Sequence, residues 1–154
     1  MSNTLQFQQI HIEVARNATD DFNPFHDKHR WQNIIGNPFG GPIALGFQLE
    51  CLIEQQMRRY RLEHGEDETL HTQGLDWSQY EFRFANAVSA GQQIEVKIRD
   101  SRFREGDTPS LSNRVSLQAD GKLAMTGYKR ELATADNAPD VDLSALGDLQ
   151  SAPD

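Results

Sequence analysis

The stretch that decides the fold is Gly36–Gly65, GNPFGGPIALGFQLECLIEQQMRRYRLEHG. After its glycine-rich lead-in (Gly36, Gly40, Gly41), no helix breaker occurs from about Ala44 to His64 except Gly46, near the start. Leu45, Leu49, Leu52, Ile53, Met57 and Tyr60 recur every three or four residues, which places them on one helical face. Arg58, Arg59 and Arg61 fall in the last turns, where cations complement the carbonyl end of a helix, and Gly65 is a good terminator. The pattern predicts one long helix, and that helix needs a partner surface for its apolar face.

Downstream the period changes to two. Tyr80, Phe82 and Phe84 alternate with Glu81, Arg83 and Ala85, and Ile94, Val96 and Ile98 alternate with Glu95, Lys97 and Arg99. Leu111, Val115 and Leu117 continue the alternation, and Leu123 and Met125 lead into Tyr128. Asp120-Gly121 separates the last two runs and is a hairpin signal, because both positions of such a turn need positive φ. Ala90-Gly91 and REGDTPS (104–110) mark the other turns. A long helix followed by antiparallel strands predicts an α+β domain in which the sheet covers the helix.

Upstream, Leu5–Ile12 suits a short initial strand, and Ile12, Ala15 and Ala18 have helical spacing. Pro24 cannot sit inside a helix and pushes Asn23 toward an extended conformation, so a turn carries Asp21–His26. A second short helix is expected at roughly Lys28–Ile35, ended by Gly36-Asn37-Pro38.

The chain has 154 residues, enough for one domain with a real core. Its apolar content of 37% and mean hydropathy of −0.67 describe a polar chain that still folds. No run approaches the ~18 apolar residues of a membrane span. The first residues, MSNTLQFQQ, have neither the basic start nor the apolar core of a secretory signal. The single cysteine, Cys51, excludes an intrachain disulfide and suits a reducing, cytoplasmic setting. A net charge of −8 argues against nucleic-acid binding. Residues 1–133 are read as the domain and 134–154 as an acidic, disordered tail. That tail has five aspartates and no Lys or Arg, which leaves the body near −3. Within it, Leu143, Leu146 and Leu149 have the spacing of one weak amphipathic turn.

The segment Asp21-Phe22-Asn23-Pro24-Phe25-His26 has a D-x-N-P-x-H pattern, and Gly41-Pro42-Ile43-Ala44-Leu45-Gly46 introduces the long helix. Together with YEFRFANAVSAGQQIEVKI (80–98), this order resembles the MaoC-like hydratases, the (R)-specific enoyl-CoA hydratase group of the hotdog fold. The resemblance covers roughly Gln9–Leu132. It implies a curved antiparallel sheet wrapped around the central helix, and a homodimer with its sites near the interface. It also implies reversible hydration of a 2-enoyl thioester carried by CoA or an acyl carrier protein, with no metal or redox cofactor.

That reaction needs a group to take a proton from water, a group to protonate the α-carbon, and donors for the enolate-like oxygen. The resemblance assigns the first two tasks to Asp21 and His26, and the sequence leaves open which group handles which proton. Histidine suits the work because its reference pKa is ~6.5. Asp21 would need its pKa raised by burial to act as an acid. Asn23 and Pro24 are read as scaffolding, and the N–H of Gly46 as the oxyanion donor at a helix N-terminus. Trp31 lines the substrate channel or packs in the core. His11, His29, His64 and His71 are read as incidental, mostly solvated residues, and Cys51 as a small buried packing residue. No His, Asp, Glu or Cys set has metal-ligand spacing.

The chain departs from the family pattern in three places. Leu45 stands where relatives commonly have a histidine, DKHRWQN (27–33) is bulkier and more charged than usual, and the long helix is polar for a sheathed one. Glu54, two helical turns beyond Gly46, raises a rival reading as the carboxylate of a hotdog acyl-CoA thioesterase. A third reading is a hotdog dimer that binds an acyl thioester without turning it over.

Overall fold

A computed structural model describes residues 5–134; the acidic tail expected beyond them, with its three leucines, lies outside the described residues. The long helix forms as the spacing predicts. It is α2, Gly46–Glu63, preceded by α1 (Gln9–Ala18) and followed by α3 (Asp67–Thr72). The strands are β1 (Trp77–Phe84), β2 (Ile94–Ile98), β3 (Arg102–Arg104), β4 (Ser110–Ala119) and β5 (Lys122–Leu132). They build one antiparallel five-stranded sheet in the order β1-β5-β4-β2, with β3 also paired to β4.

The two sequence periods meet in a single core. Leu45 at the N-cap of α2 and Leu49, Ile53 and Met57 within it pack with Val115 and Leu117 of β4 and with Met125 of β5. Each such side chain, fully buried, contributes about 1.5–3 kcal/mol of transfer free energy. Along β4, buried Leu111, Asn113, Val115 and Leu117 alternate with more accessible serines and Arg114, so one face of the sheet meets the helix and the other does not. The β4–β5 hairpin turns at Asp120 (φ 46°) and Gly121 (φ 76°), both left-handed as predicted. Gly127 of β5 is required by packing: a Cβ there would lie 1.9 Å from the Glu81 carbonyl oxygen of β1.

Several expectations are corrected. Leu5 forms only an isolated bridge to Ile94, and α1 begins at Gln9. The helix expected at Lys28–Ile35 is reduced to one 3₁₀ turn, Trp31–Asn33, which follows a tight turn in which Asp27 accepts from the His29 and Arg30 N–H groups. Helix α3 and strand β3 were not foreseen; both are short, and neither has a full period of pattern. Cys51 is exposed, on the polar side of α2. Arg61 does not simply serve the carbonyl end of the helix. It is buried, donates to Glu66 at 2.8 Å and to Asn113 at 3.1 Å, and approaches Glu131 at 3.4 Å.

Candidate active site

The site is assembled where α1 ends. Asp20 adopts φ 52° and reverses the chain, while the Asp21 N–H is satisfied by the Arg16 carbonyl at 3.0 Å. Two side chains then shape the loop. Asp21 Oδ1 accepts from the Asn23 N–H at 3.1 Å, and Asn23 Oδ1 accepts from the Phe25 N–H at 3.1 Å. These are short Asx-type turns of the kind Asp and Asn favour. Pro24 opens a 3₁₀ turn, Pro24–His26, to which its fixed φ is suited. Asn23 is therefore a structural cap of the loop.

The loop is tied to the lead-in of α2. The Ile43 N–H donates to the Phe25 carbonyl at 3.0 Å, and His26 Nδ1 lies 2.8 Å from the Ile43 carbonyl oxygen. A carbonyl only accepts, so Nδ1 carries the proton and the neutral ring presents its lone pair at Nε2. Nε2 lies 3.7 Å from Asp21 Oδ2, an opposed pair just beyond direct hydrogen-bond range. The His26 side chain is 12% exposed and that of Asp21 is 39% exposed. The burial that an acidic role for Asp21 would need is thus not supplied within one protomer.

Asp27, which the sequence reading passed over, fixes this loop from below. It is buried and pairs with Arg16 of α1 at 3.1 Å and with Arg30 at 3.0 Å. The N–H of His29 holds its carboxyl down to about 2, against the opposing effect of burial, with help from the Arg30 N–H and side chain and the Arg16 charge. The charged run after His26 is therefore a clamp between loop and helix. Its signal in the sequence is the Asp27…Arg30 spacing of three, which suits an ion pair.

The other side of the site is the start of α2. Leu45 is fully buried, and its N–H is taken by Gln48 Oε1 at 3.0 Å. Gln48 Nε2 in turn donates to the His11 carbonyl at 3.1 Å. The Gly46 N–H has no acceptor among the described residues. A Cβ at Gly46 would meet Phe84 Cζ at 3.3 Å, so glycine keeps this corner open. His26, Gly46, Phe39, Leu49, Phe84 and Val88 line a largely apolar cleft of about 410 Å³. The structure thus brings His26 and Gly46 to one cleft, with Asp21 behind the imidazole and not itself on the lining. Trp31 is half-buried and does not line it. Phe39, Phe84 and Gln48 were missed by sequence reasoning, because only the fold brings them to the helix start.

Glu54 is placed elsewhere. It accepts from Lys129, from Arg58 at 2.9 Å and from Tyr80 at 2.9 Å, and it is absent from the cleft lining. Burial would raise its pKa, but the Lys129 and Arg58 hydrogen bonds prevail and hold it near 2. Lys129 continues to Glu131 at 2.9 Å, so Glu54 belongs to an ion-pair chain between α2 and the sheet. Among the described residues, no three His, Cys, Asp or Glu side chains are grouped to hold a metal ion. No helix among them is long and apolar enough to cross a membrane.

No protein-family model matches the chain, and no curated protein matches it significantly. Solved structures do. The chain is similar to the (R)-hydratase from A. caviae involved in PHA biosynthesis, at 20% identity over 83% of this chain and 89% of that one, with a TM-score of 0.56. It is also similar to the monoamine oxidase regulatory protein from Archaeoglobus fulgius, at 17% identity over 83% and 82%, with a TM-score of 0.59. A third likeness is to the unliganded R-hydratase PhaJ1 from Pseudomonas aeruginosa, at 17% identity over 90% and 86%, with a TM-score of 0.52. Identities this low speak to architecture alone: the chain has the hotdog fold, an antiparallel sheet packed on a central helix.

Proposed function

We propose that the chain adds water to a 2-enoyl thioester, or removes it from the 3-hydroxyacyl form, the thioester being carried by CoA or an acyl carrier protein. The observation that carries this reading is the cleft shared by the His26 imidazole and the unpartnered Gly46 N–H. A thioester carbonyl hydrogen-bonded to that N–H would be stabilised as charge develops on its oxygen. A water held between Asp21 and His26 Nε2 would lose a proton as its oxygen bonds to the β-carbon. The α-carbon then gains a proton from the same pair, so the overall change is the addition of one water. Asp21 works here as a partly exposed carboxylate that orients the water and the imidazole. The flanking Phe39 and Phe84 suit the apolar acyl portion.

A homodimer fits the same reading. β1 is an edge strand of the sheet, and its Trp77, Tyr80 and Phe84 are 52%, 44% and 53% exposed in the single chain. A second copy along that edge would cover these aromatics and further enclose Asp21 and the cleft. The single cysteine suits a cytoplasmic setting.

The test is a panel of crotonyl-CoA and saturated acyl-CoAs, followed separately by enoyl absorbance and by free thiol. Loss of enoyl absorbance by the wild type is expected, reduced about 10²–10⁴-fold in Asp21→Asn and in His26→Ala. Thiol release that survives His26→Ala but vanishes in Glu54→Gln would replace hydration with thioester hydrolysis. Binding of acyl-CoA with neither reaction would make the chain a non-catalytic acyl-thioester binder.

A further inference from the structure

A larger concavity, about 760 Å³, lies away from this site and is built on different chemistry. Strands β3 and β5 both pair with β4, so their residues flank it on either side. Arg102 is opposite Ser112, Ser112 is opposite Arg130, and Arg130 is opposite Gln79. In the neighbouring row of the same face, Arg104 is opposite Ser110 and Ser110 is opposite Leu132. Side chains two residues apart on a strand share a face, so both rows point the same way. It is the face turned from α2, because buried Leu111, between the two serines, and Asn113, next to Ser112, point the other way, and Asn113 accepts from Arg61 of that helix.

The result is a cradle with small hydroxyl residues on its floor and arginines on opposite walls. With strands ~4.8 Å apart, the Arg102 and Arg130 backbones stand about 10 Å from each other across Ser112. The chain has 23 acidic and 15 basic residues, yet among the described residues no carboxylate lines this concavity and three arginines do. Arg130 is oriented by Gln79 at 3.2 Å and Glu81 at 3.3 Å and lies 5.4 Å from the Tyr128 ring centroid. Arg102 and Arg104 are exposed and make no ion pair among the described residues. Arg130 already has Glu81 as its counter-charge, but Arg102 and Arg104 have none among the described residues, and guanidinium groups are suited to bidentate contact with phosphoryl oxygens.

We propose that this cradle is a binding site for a pyrophosphate-bearing small molecule, with one phosphoryl group held by Arg102 and Arg104 and the other by Arg130. Two arginine walls separated by a serine floor match two linked phosphoryl groups better than one. The cradle lies on the opposite face of the sheet from α2, and Gln79 is five residues before Phe84, the β1 residue at the Gly46 cleft. It is therefore a second site of the protomer, separate from the proposed acyl-thioester cleft and independent of that assignment.

The test is calorimetric titration of the full chain with inorganic pyrophosphate, with orthophosphate and with sodium chloride at matched ionic strength. Saturable pyrophosphate binding is expected, roughly tenfold or more tighter than orthophosphate and weakened at least about tenfold in R102Q/R104Q, as loss of charge-assisted bonds predicts. His26→Ala should bind pyrophosphate as the wild type does. Circular dichroism checks the fold of the double variant; should it fail to fold, Arg102→Gln alone is read the same way. A response reproduced by sodium chloride, or pyrophosphate affinity unchanged in the folded arginine variant, would overturn the proposal.

Discussion

The imidazole of His26 and the backbone carbonyl of Ile43, 17 residues apart in sequence, are joined by a 2.8 Å hydrogen bond. This bond fixes the ring's orientation and its tautomer, so Nε2 is the nitrogen left toward Asp21. It also ties the proton-transfer loop to the segment that introduces α2. Replacing His26 with Asn keeps a donor near the Nδ1 position for the Ile43 carbonyl but removes the basic nitrogen. His26→Asn is therefore expected to keep the stability of the wild type more closely than His26→Ala, while losing hydration to a similar degree. Denaturant midpoints beside crotonyl-CoA turnover check this; a His26→Asn variant with near wild-type turnover would remove the imidazole from the mechanism.

Gly46→Ala separates space from folding. The added Cβ meets the Phe84 ring at 3.3 Å, but Phe84 is half-exposed and has room to shift. Alanine also favours the helix, so the net stability change is expected to stay within about 1 kcal/mol. Turnover should fall, because the methyl group and the displaced ring enter the cleft. Gly46→Ala combined with Phe84→Leu should recover part of that loss, and steady-state kinetics of the two variants measure it.

Gln48 holds the first turn of α2 through both of its amide atoms. Gln48→Leu leaves the buried Leu45 N–H without its acceptor and removes the side-chain donor that ties α2 to the His11 carbonyl of α1. A cost of roughly 1–3 kcal/mol is expected from such an unmet group. Gln48→Glu keeps an acceptor for Leu45 and should lose less at neutral pH. Urea unfolding of the pair provides the comparison, and equal losses would mean that Leu45 is not held by the side-chain oxygen.

Gly127→Ala is expected to be the most damaging single methyl in the sheet. Its Cβ would overlap the Glu81 carbonyl at 1.9 Å, and backbone cannot swing aside as a ring does. A loss above about 4 kcal/mol places it among the exceptional substitutions, with the β1–β5 pairing broken first. Hydrogen exchange of the β1 amides would show this; a cooperative unfolding curve like that of the wild type would contradict it.

The ion-pair chain beneath α2 sets an acid limit. Glu54 titrates near 2 in the folded protein against an ordinary 4.5, since its hydrogen bonds to Lys129 and Arg58 outweigh the effect of burial. A lowered carboxyl pKa stabilises the fold above the unfolded value and loses that contribution as pH falls from about 4.5 toward about 2. Glu54→Gln should flatten this part of the stability profile. Lys129→Met removes the shared cation from Glu54 and buried Glu131, and is expected to cost roughly 3–5 kcal/mol. Thermal melts across that pH range test both variants, and an unchanged acid slope in Glu54→Gln would assign the effect to other carboxylates.

The long helix, the alternating strands and the Asp120-Gly121 turn were legible in the residues because each is a local regularity. A 3.6 period, a 2.0 period and a pair of positive-φ positions are written in neighbouring side chains. The D-x-N-P-x-H loop was legible for the same reason, since its Asx turns and its proline act over two or three residues. The helix expected after His26 failed where a local rule met a tertiary partner: Asp27 pairs with Arg16 of α1, and the chain after it forms turns and one 3₁₀ turn in place of a helix. Cys51 was misplaced because helical spacing defines a face but does not say where that face ends.

What only the tertiary structure decided depends on contacts between segments far apart in the chain. It placed Glu54 in an ion-pair chain with Lys129, 75 residues away, and not beside Gly46. It brought Phe84 against Gly46 and the Ile43 carbonyl to His26. It gathered Arg102, Arg104 and Arg130 on one face through strand register, which a one-residue slip would reverse. The sequence by itself determined which elements form; their register and packing decided which side chains share a cleft.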